Sequence, residues 1–169
     1  GTPINYYLPD TLTESVCIEI RDEKNEIIRT LKGSNNPGIN RIMWDLRYEP
    51  TYKPQLRTRP LGRPWVQLNG EGWRPLVTWD LDLLSGQYGP RVVPGKYKAV
   101  ISIDKVSFEK DLMVLKDPMA KGSLADVKEQ VQFSLTLREA MNTAVTMINK
   151  IEYILSLIHI SEPTRLLSI

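Results

Sequence analysis

Few residues in this chain could do acid–base, nucleophilic or metal chemistry. Asp45, Asp80 and Asp82 are the carboxylates to consider first, and "DLD" at 80–82 places Asp80 and Asp82 on one side of an extended backbone. Two carboxyl groups roughly 5 to 10 Å apart across a cleft would serve glycoside hydrolysis, and a fuller set of oxygens would hold calcium. The alternative for Asp80 and Asp82 is solvated charge at a strand edge. For Asp45 it is a carboxylate that accepts loop N–H bonds or pairs with Arg47. A serine or cysteine nucleophile needs a base within hydrogen-bond reach, usually histidine, and the chain has one histidine, His159. The lone Cys17 can build neither an internal disulfide nor a thiolate cage for zinc. "GEG" at 70–72 lacks the spacing and the following Lys and Ser or Thr of a phosphate loop. The expectation is a chain with no catalytic residue, no metal site and no cofactor.

Aromatic residues offer a different chemistry. Residues 49–94 hold seven of the twelve prolines and three of the four tryptophans. Trp65, Trp73 and Trp79, with Tyr52 and Tyr88, therefore lie in one irregular stretch. Flat rings of this kind stack on sugar faces, and they equally pack a long loop against its own domain or a neighbour. Trp65, Trp73, Trp79 and Tyr88 are the candidate ligand or interdomain contacts. Trp44, alternating with Ile42 and Leu46, reads instead as core.

The elements that position these residues follow from periodicity. In "SVCIEIRD", Val16, Ile18 and Ile20 point one way and Cys17, Glu19 and Arg21 the other. "DEKNE" is a polar turn and "IIRTL" the returning strand. "NNPGINRIMWDLR" supplies a Pro-Gly loop and a further strand with Ile42, Trp44 and Leu46 on its core face. "VPGKYKAVISID" and "VSFEKDLMVLKD" form a second hairpin with Tyr97, Ala99, Ile101 and Ile103 inward and Asp104-Lys105 near the turn. Proline density keeps 49–94 out of any central strand, leaving one short strand at "LVTWDL". After Asp117-Pro118 the period changes: Ser123 with Asp126 three residues on is a capping pattern, and Leu124, Val127, Val131, Met141, Val145, Ile148 and Ile151 recur at helical spacing. The expected fold is mainly β, an antiparallel immunoglobulin-like β-sandwich followed by one long C-terminal α-helix. Residues 1–118 form the sandwich with its Pro/Trp-rich excursion at 49–94, and 119–154 a truncated helical segment.

Composition adds exclusions. With 169 residues, 41% hydrophobic, 25% charged and a net charge of +2, the chain has the make-up of a globular protein with no strong field to attract nucleic acid. Lys150 and Glu152 interrupt the longest apolar run, so no membrane span is expected. The last stretch, Leu155 to Arg165, resembles the translation of a transposase-type sequencing adapter, and the frame continues through a sample index to Ile169. Residues 155–169 are therefore expected to be a non-native tail, which removes His159 from functional argument. Pro163 should stop any helix entering that tail.

Taken in order, "TPINYYL", "VCIEIRD" with "IIRTL", "PGINRIMWDLR", "VVPGKYKAVISID" and "VLKDPMA" resemble the C-terminal region of exported bacterial proteins built on sortilin-like, Asp-box (BNR) β-propellers, often described as glycosyl-hydrolase-like. In that family an immunoglobulin-like domain akin to that of flagellar hook-capping proteins follows the propeller, and a helical segment comes next. The resemblance implies export to the periplasm or cell surface. It also implies a non-catalytic accessory domain whose partners are the preceding β-propeller and the following helices of the same parent protein. No Asp-box stands in this sequence, so no catalytic residue is carried over. The alternative function is a carbohydrate-binding module that meets glycan through the tryptophans of 49–94.

Overall fold

The computed structural model describes residues 1–59, 63, 65–74, 88–103 and 106–161, with side chains described as far as 158. The chain divides into two compact units: Gly1–Pro50 with Tyr88–Thr136, and Thr51–Gln87 with Leu137–Ile169. Among the described residues the elements are β1 (Thr2–Leu8), β2 (Val16–Arg21), β3 (Ile27–Gly33), β4 (Gly38–Trp44), β5 (Gly95–Ile103), β6 (Val106–Val114) and α1 (Leu124–Ser161). The protein is thus antiparallel β followed by one long C-terminal helix, as the two periodicities require. The anticipated strand at "LVTWDL" and the Asp104-Lys105 turn lie outside the described residues.

The first unit is two antiparallel sheets over one core. β1 pairs with β4, and the second sheet runs β3-β2-β5-β6. Register follows from the alternation, because a slip of one residue would turn the apolar set outward. Ile4 faces Ile42, and Ile18 lies between Leu31 and Ile101. Ile4, Tyr6 and Leu8 from the small sheet meet Val16, Ile18, Ile20, Ile28, Tyr97 and Ala99 from the large one, around a fully buried Trp44. Trp44 packs edge-on to Tyr97 with ring centroids 5.6 Å apart. Its indole N–H donates to the Arg47 carbonyl at 3.1 Å, which satisfies the polar atom the burial would otherwise strand. The Tyr97 hydroxyl donates to the Val93 carbonyl at 2.7 Å, and burial pushes its pKa far above the ordinary tyrosine value. Ile42, Leu46, Ile101 and Ile103 are partly buried against this core, on the face their alternation assigned.

Local chemistry closes the turns. Between β2 and β3, Asp22 Oδ1 accepts the amides of Lys24 and Glu26 at 2.9 Å each, and Asn25 takes the left-handed conformation that asparagine tolerates. At Gly33 a Cβ would collide with the Tyr6 hydroxyl, which donates to the Ser34 carbonyl at 2.6 Å. Glycine is needed there for close approach rather than for its dihedral freedom. After β4 the chain re-enters alongside residues 88–92. Tyr48 N–H donates to the Pro90 carbonyl and Val92 N–H to the Leu46 carbonyl, both at 2.9 Å. α1 begins as its sequence signature predicts, with Ser123 N–H on Asp126 Oδ2 at 2.7 Å and Asp126 N–H on Ser123 Oγ at 3.2 Å. Val131 of its first turns is buried.

Candidate functional site

In the second unit, an irregular segment has to satisfy its backbone without a strand partner. Residues 51–59 follow Pro50, contain Pro54 and make no ladder, so each buried amide must find a side-chain acceptor. The amides of Tyr52, Gln55 and Thr58, three residues apart, donate to Asn142 Oδ1 at 2.9 Å, Asn149 Oδ1 at 2.7 Å and Glu152 Oε2 at 2.8 Å. Residues 142, 149 and 152 lie on one stripe of α1, so the three acceptors meet the segment from one face of the helix.

Glu152 is the most heavily used acceptor. Only 7% exposed, it also takes the Thr58 hydroxyl at 2.7 Å and Arg74 Nη2 at 3.2 Å. Burial alone would raise its pKa. The Thr58 hydroxyl and amide and the Arg74 guanidinium outweigh that and hold the carboxyl below its ordinary value. Arg74 is itself held by its amide, which donates to the Leu56 carbonyl at 2.8 Å. Arg57 lies over the Tyr153 ring at 5.8 Å.

The candidate residues are placed as follows. Trp65 is 69% exposed. Trp73 is half-buried at the end of a tight turn, where Asn69 Oδ1 accepts the amides of Glu71 and Trp73 at 3.0 and 2.9 Å and Asn69 N–H donates to the Trp73 carbonyl at 2.7 Å. Trp79 lies outside the described residues. Tyr88 belongs to the first unit, where it is 56% exposed and lies beneath the Arg47 guanidinium, 5.3 Å from ring centroid to Cζ. Trp65 and Trp73 thus share a unit and Tyr88 stands in the other. Tyr88 is a cation–π partner fixed by Arg47, which also donates to the Gly89 carbonyl at 2.9 Å.

Of the carboxylates, Asp45 is exposed just past β4, and Asp80 and Asp82 lie outside the described residues. Among the described residues no group of His, Cys, Asp and Glu is arranged to hold a metal ion, and no helix is long and apolar enough to cross a membrane. Cys17 is a half-buried free thiol on β2. A cavity of about 610 Å³ in the first unit is floored by Leu46, Val92, Val114 and Val131 and rimmed by Arg47, Arg91 and Lys116. Two of those cations are tied to backbone carbonyls, Arg47 to Gly89 and Lys116 to Ala120 at 2.7 Å, so they act as struts of the loop framework.

The feature that the apolar spacing did not anticipate is the face of α1 turned toward its own chain. The anticipated apolar face joined Leu124, Val127, Val131 and Val145 with Met141, Ile148 and Ile151. In the structure Val131 is buried and Val127 and Val145 half-buried, but Leu124, Met141, Ile148 and Ile151 are exposed. The covered stripe in the second unit is Arg138, Asn142, Val145, Asn149 and Glu152, largely polar at a 4-3-4-3 spacing. The repeat of Asn142 and Asn149 seven residues apart was the available signal. Beside it, Leu137, Met141, Met147, Ile148, Ile151 and Ile154 form an exposed apolar stripe.

No protein-family model matches this chain, and no curated protein or solved structure matches it significantly.

Proposed function

We propose that this chain is a non-catalytic accessory domain of an exported propeller protein, packing against a propeller and, through α1, against other helices of the same parent. The observation that carries the reading is the bare apolar stripe of α1. Large contiguous apolar surface rimmed by polar residues marks an interaction site on a folded protein, and here the neighbouring stripe of the same helix is already occupied by residues 52–58. Exposed Tyr7, Ile39 and Met43 on β1 and β4 offer a second apolar surface suited to a neighbouring domain. The immunoglobulin-like assignment draws support from Tyr97, whose hydroxyl reaches back four residues at the start of a strand in the manner of a tyrosine corner. Export to the periplasm or cell surface follows from the resemblance of the strand motifs.

The reading is tested by recovering the reading frame upstream of Gly1. Propeller blades encoded there support it. A different upstream fold, or aspartate-dependent hydrolysis of glycosides by the 169-residue chain alone, would remove it. The second reading, a glycan-binding module, has the exposed Trp65 ring in its favour. Glycan-array binding that is lost in Trp65→Ala and weakened in Trp73→Ala supports that reading, and array silence ends it.

A further inference from the structure

We infer that Asn69-Gly70 is a self-modification site, where the side-chain amide of Asn69 converts through a cyclic imide and leaves either aspartate or isoaspartate in the turn. Of the eight asparagines in the chain, Asn69 alone is followed by glycine. The chemistry needs a main-chain nitrogen that can reach the side-chain carbonyl carbon, an activated carbonyl, and an amide that is free to leave. Asn69 and Gly70 are both exposed. Gly70 has no Cβ to screen its nitrogen, and a Cβ built there would meet nothing within 4 Å, so the approach is open. Asn69 Oδ1 accepts the amides of Glu71 and Trp73 at 3.0 and 2.9 Å. Two N–H donors on one carbonyl oxygen stabilise the negative charge that the oxygen gains when its carbon is attacked, which is the principle of an oxyanion hole. Among the described residues no hydrogen bond engages the Gly70 amide or Asn69 Nδ2, so nucleophile and leaving group are both available. Asn142 and Asn149 differ on this count: they lie within α1, where the amide of the following residue belongs to the helical ladder.

Water is the only co-reactant. The Gly70 nitrogen bonds to Asn69 Cγ and gives its proton to solvent, while the Cγ–Nδ2 bond breaks and Nδ2 takes up a proton and departs as ammonia. Water then opens the imide ring. Attack at Cγ leaves aspartate, and attack at the main-chain carbonyl carbon of Asn69 leaves isoaspartate, in which the chain runs through Cβ and is one atom longer. The two products act on the turn in opposite ways. Aspartate keeps the acceptor for the Glu71 and Trp73 amides and adds a charge that strengthens both bonds. Isoaspartate moves that acceptor out of place. The longer backbone also misaligns the Asn69 N–H on the Trp73 carbonyl at 2.7 Å and the Gly72 N–H on the Asn69 carbonyl at 2.9 Å. The loosened turn then adjoins Arg74, which bonds the Leu56 carbonyl and Glu152.

The test incubates the full 169-residue chain in mildly alkaline buffer and follows each asparagine by peptide mapping and mass spectrometry. Asn69 should show the amide-to-acid mass gain at least tenfold faster than any other asparagine, with isoaspartate among the products. Conversion in the folded chain should be at least as fast as in the chain unfolded in urea, because unfolding removes the two donors on Oδ1. Gly70→Ala, which the open space accommodates at a φ outside the left-handed region, should slow it at least tenfold. Amide-exchange protection of Glu71 and Trp73 should persist in Asn69→Asp and be lost in the isoaspartyl product. Conversion no faster at Asn69 than elsewhere, a rate indifferent to Gly70→Ala, slower conversion in the folded chain than in urea, or protection that survives in the isoaspartyl product would overturn the inference. Those results would leave the propeller reading standing, since it is decided by the upstream sequence.

Discussion

Replacing Glu152 isolates the contact that fastens residues 52–58 to α1. Glu152 accepts the Thr58 amide, the Thr58 hydroxyl and Arg74, at 2.8, 2.7 and 3.2 Å. Each hydrogen bond to a charged group is worth about 1.5–3 kcal/mol, but loss of a partner costs least where water can replace it. The Arg74 side chain is 29% exposed and can rehydrate, so its bond is discounted. Glu152→Ala should therefore cost the segment about 3 kcal/mol, and Glu152→Gln, which keeps the shape and removes the charge, about 1–2 kcal/mol. The assay is native-state amide exchange at Thr58, with the β2–β5 ladder as internal reference. At about 1.4 kcal/mol per tenfold, Glu152→Ala should speed Thr58 exchange by about 100-fold. The pH dependence has a fixed sign. The folded pKa of Glu152 lies below its ordinary 4.5, so its stabilisation is complete above that value and is lost as pH falls through the lower, folded one. Protection of Thr58, corrected for intrinsic rate, should fall on acidification below 4.5 in the native chain and stay flatter in Glu152→Gln. Thr58 exchange unchanged in Glu152→Ala would refute the reasoning.

Other positions give equally definite expectations. Gly89→Ala should destabilise the first unit by about 1–3 kcal/mol in a urea melt, because a Cβ there would run into the backbone carbonyls of Tyr48 and Glu49. Trp44→Ala should cost about 3–5 kcal/mol by the same measurement, since the ring is fully buried at the centre of the core. Tyr97 should ionise only well above pH 10 in an ultraviolet titration of the folded chain. Its raised folded pKa means that stability falls as pH climbs past the ordinary value of 10, where the unfolded state ionises first.

The sandwich was legible because strands such as β1 and β2 bury one face and not the other. Val16, Ile18 and Ile20 alternate with Cys17, Glu19 and Arg21, and the burial alternates with them. The start of α1 was legible because a capping box is a local device, complete within Ser123–Asp126. The inward side of α1 was not, since apolar periodicity assumes that what a helix buries is apolar. Here the partner is an extended backbone whose free amides require oxygen acceptors, so Asn142, Asn149 and Glu152 turn inward and Met141, Ile148 and Ile151 turn out. The aromatic candidates show a different difficulty. Shared membership of one Pro-rich stretch implied a cluster, yet chain proximity in an irregular segment fixes no geometry, and Tyr88 belongs with Arg47 in the first unit.

Methionine photo-oxidation reads the central claim, that α1 presents a surface for helices of a larger parent, most directly. Met141 and Met147 lie on the stripe, and Met119, exposed outside α1, is the reference. The 169-residue chain, diluted until monomeric by sedimentation, is compared with the longer parent chain. The account predicts that Met141 and Met147 oxidise readily in the short chain and are at least tenfold protected in the parent, while Met119 changes little. Equal oxidation of Met141 and Met147 in the two chains would contradict it.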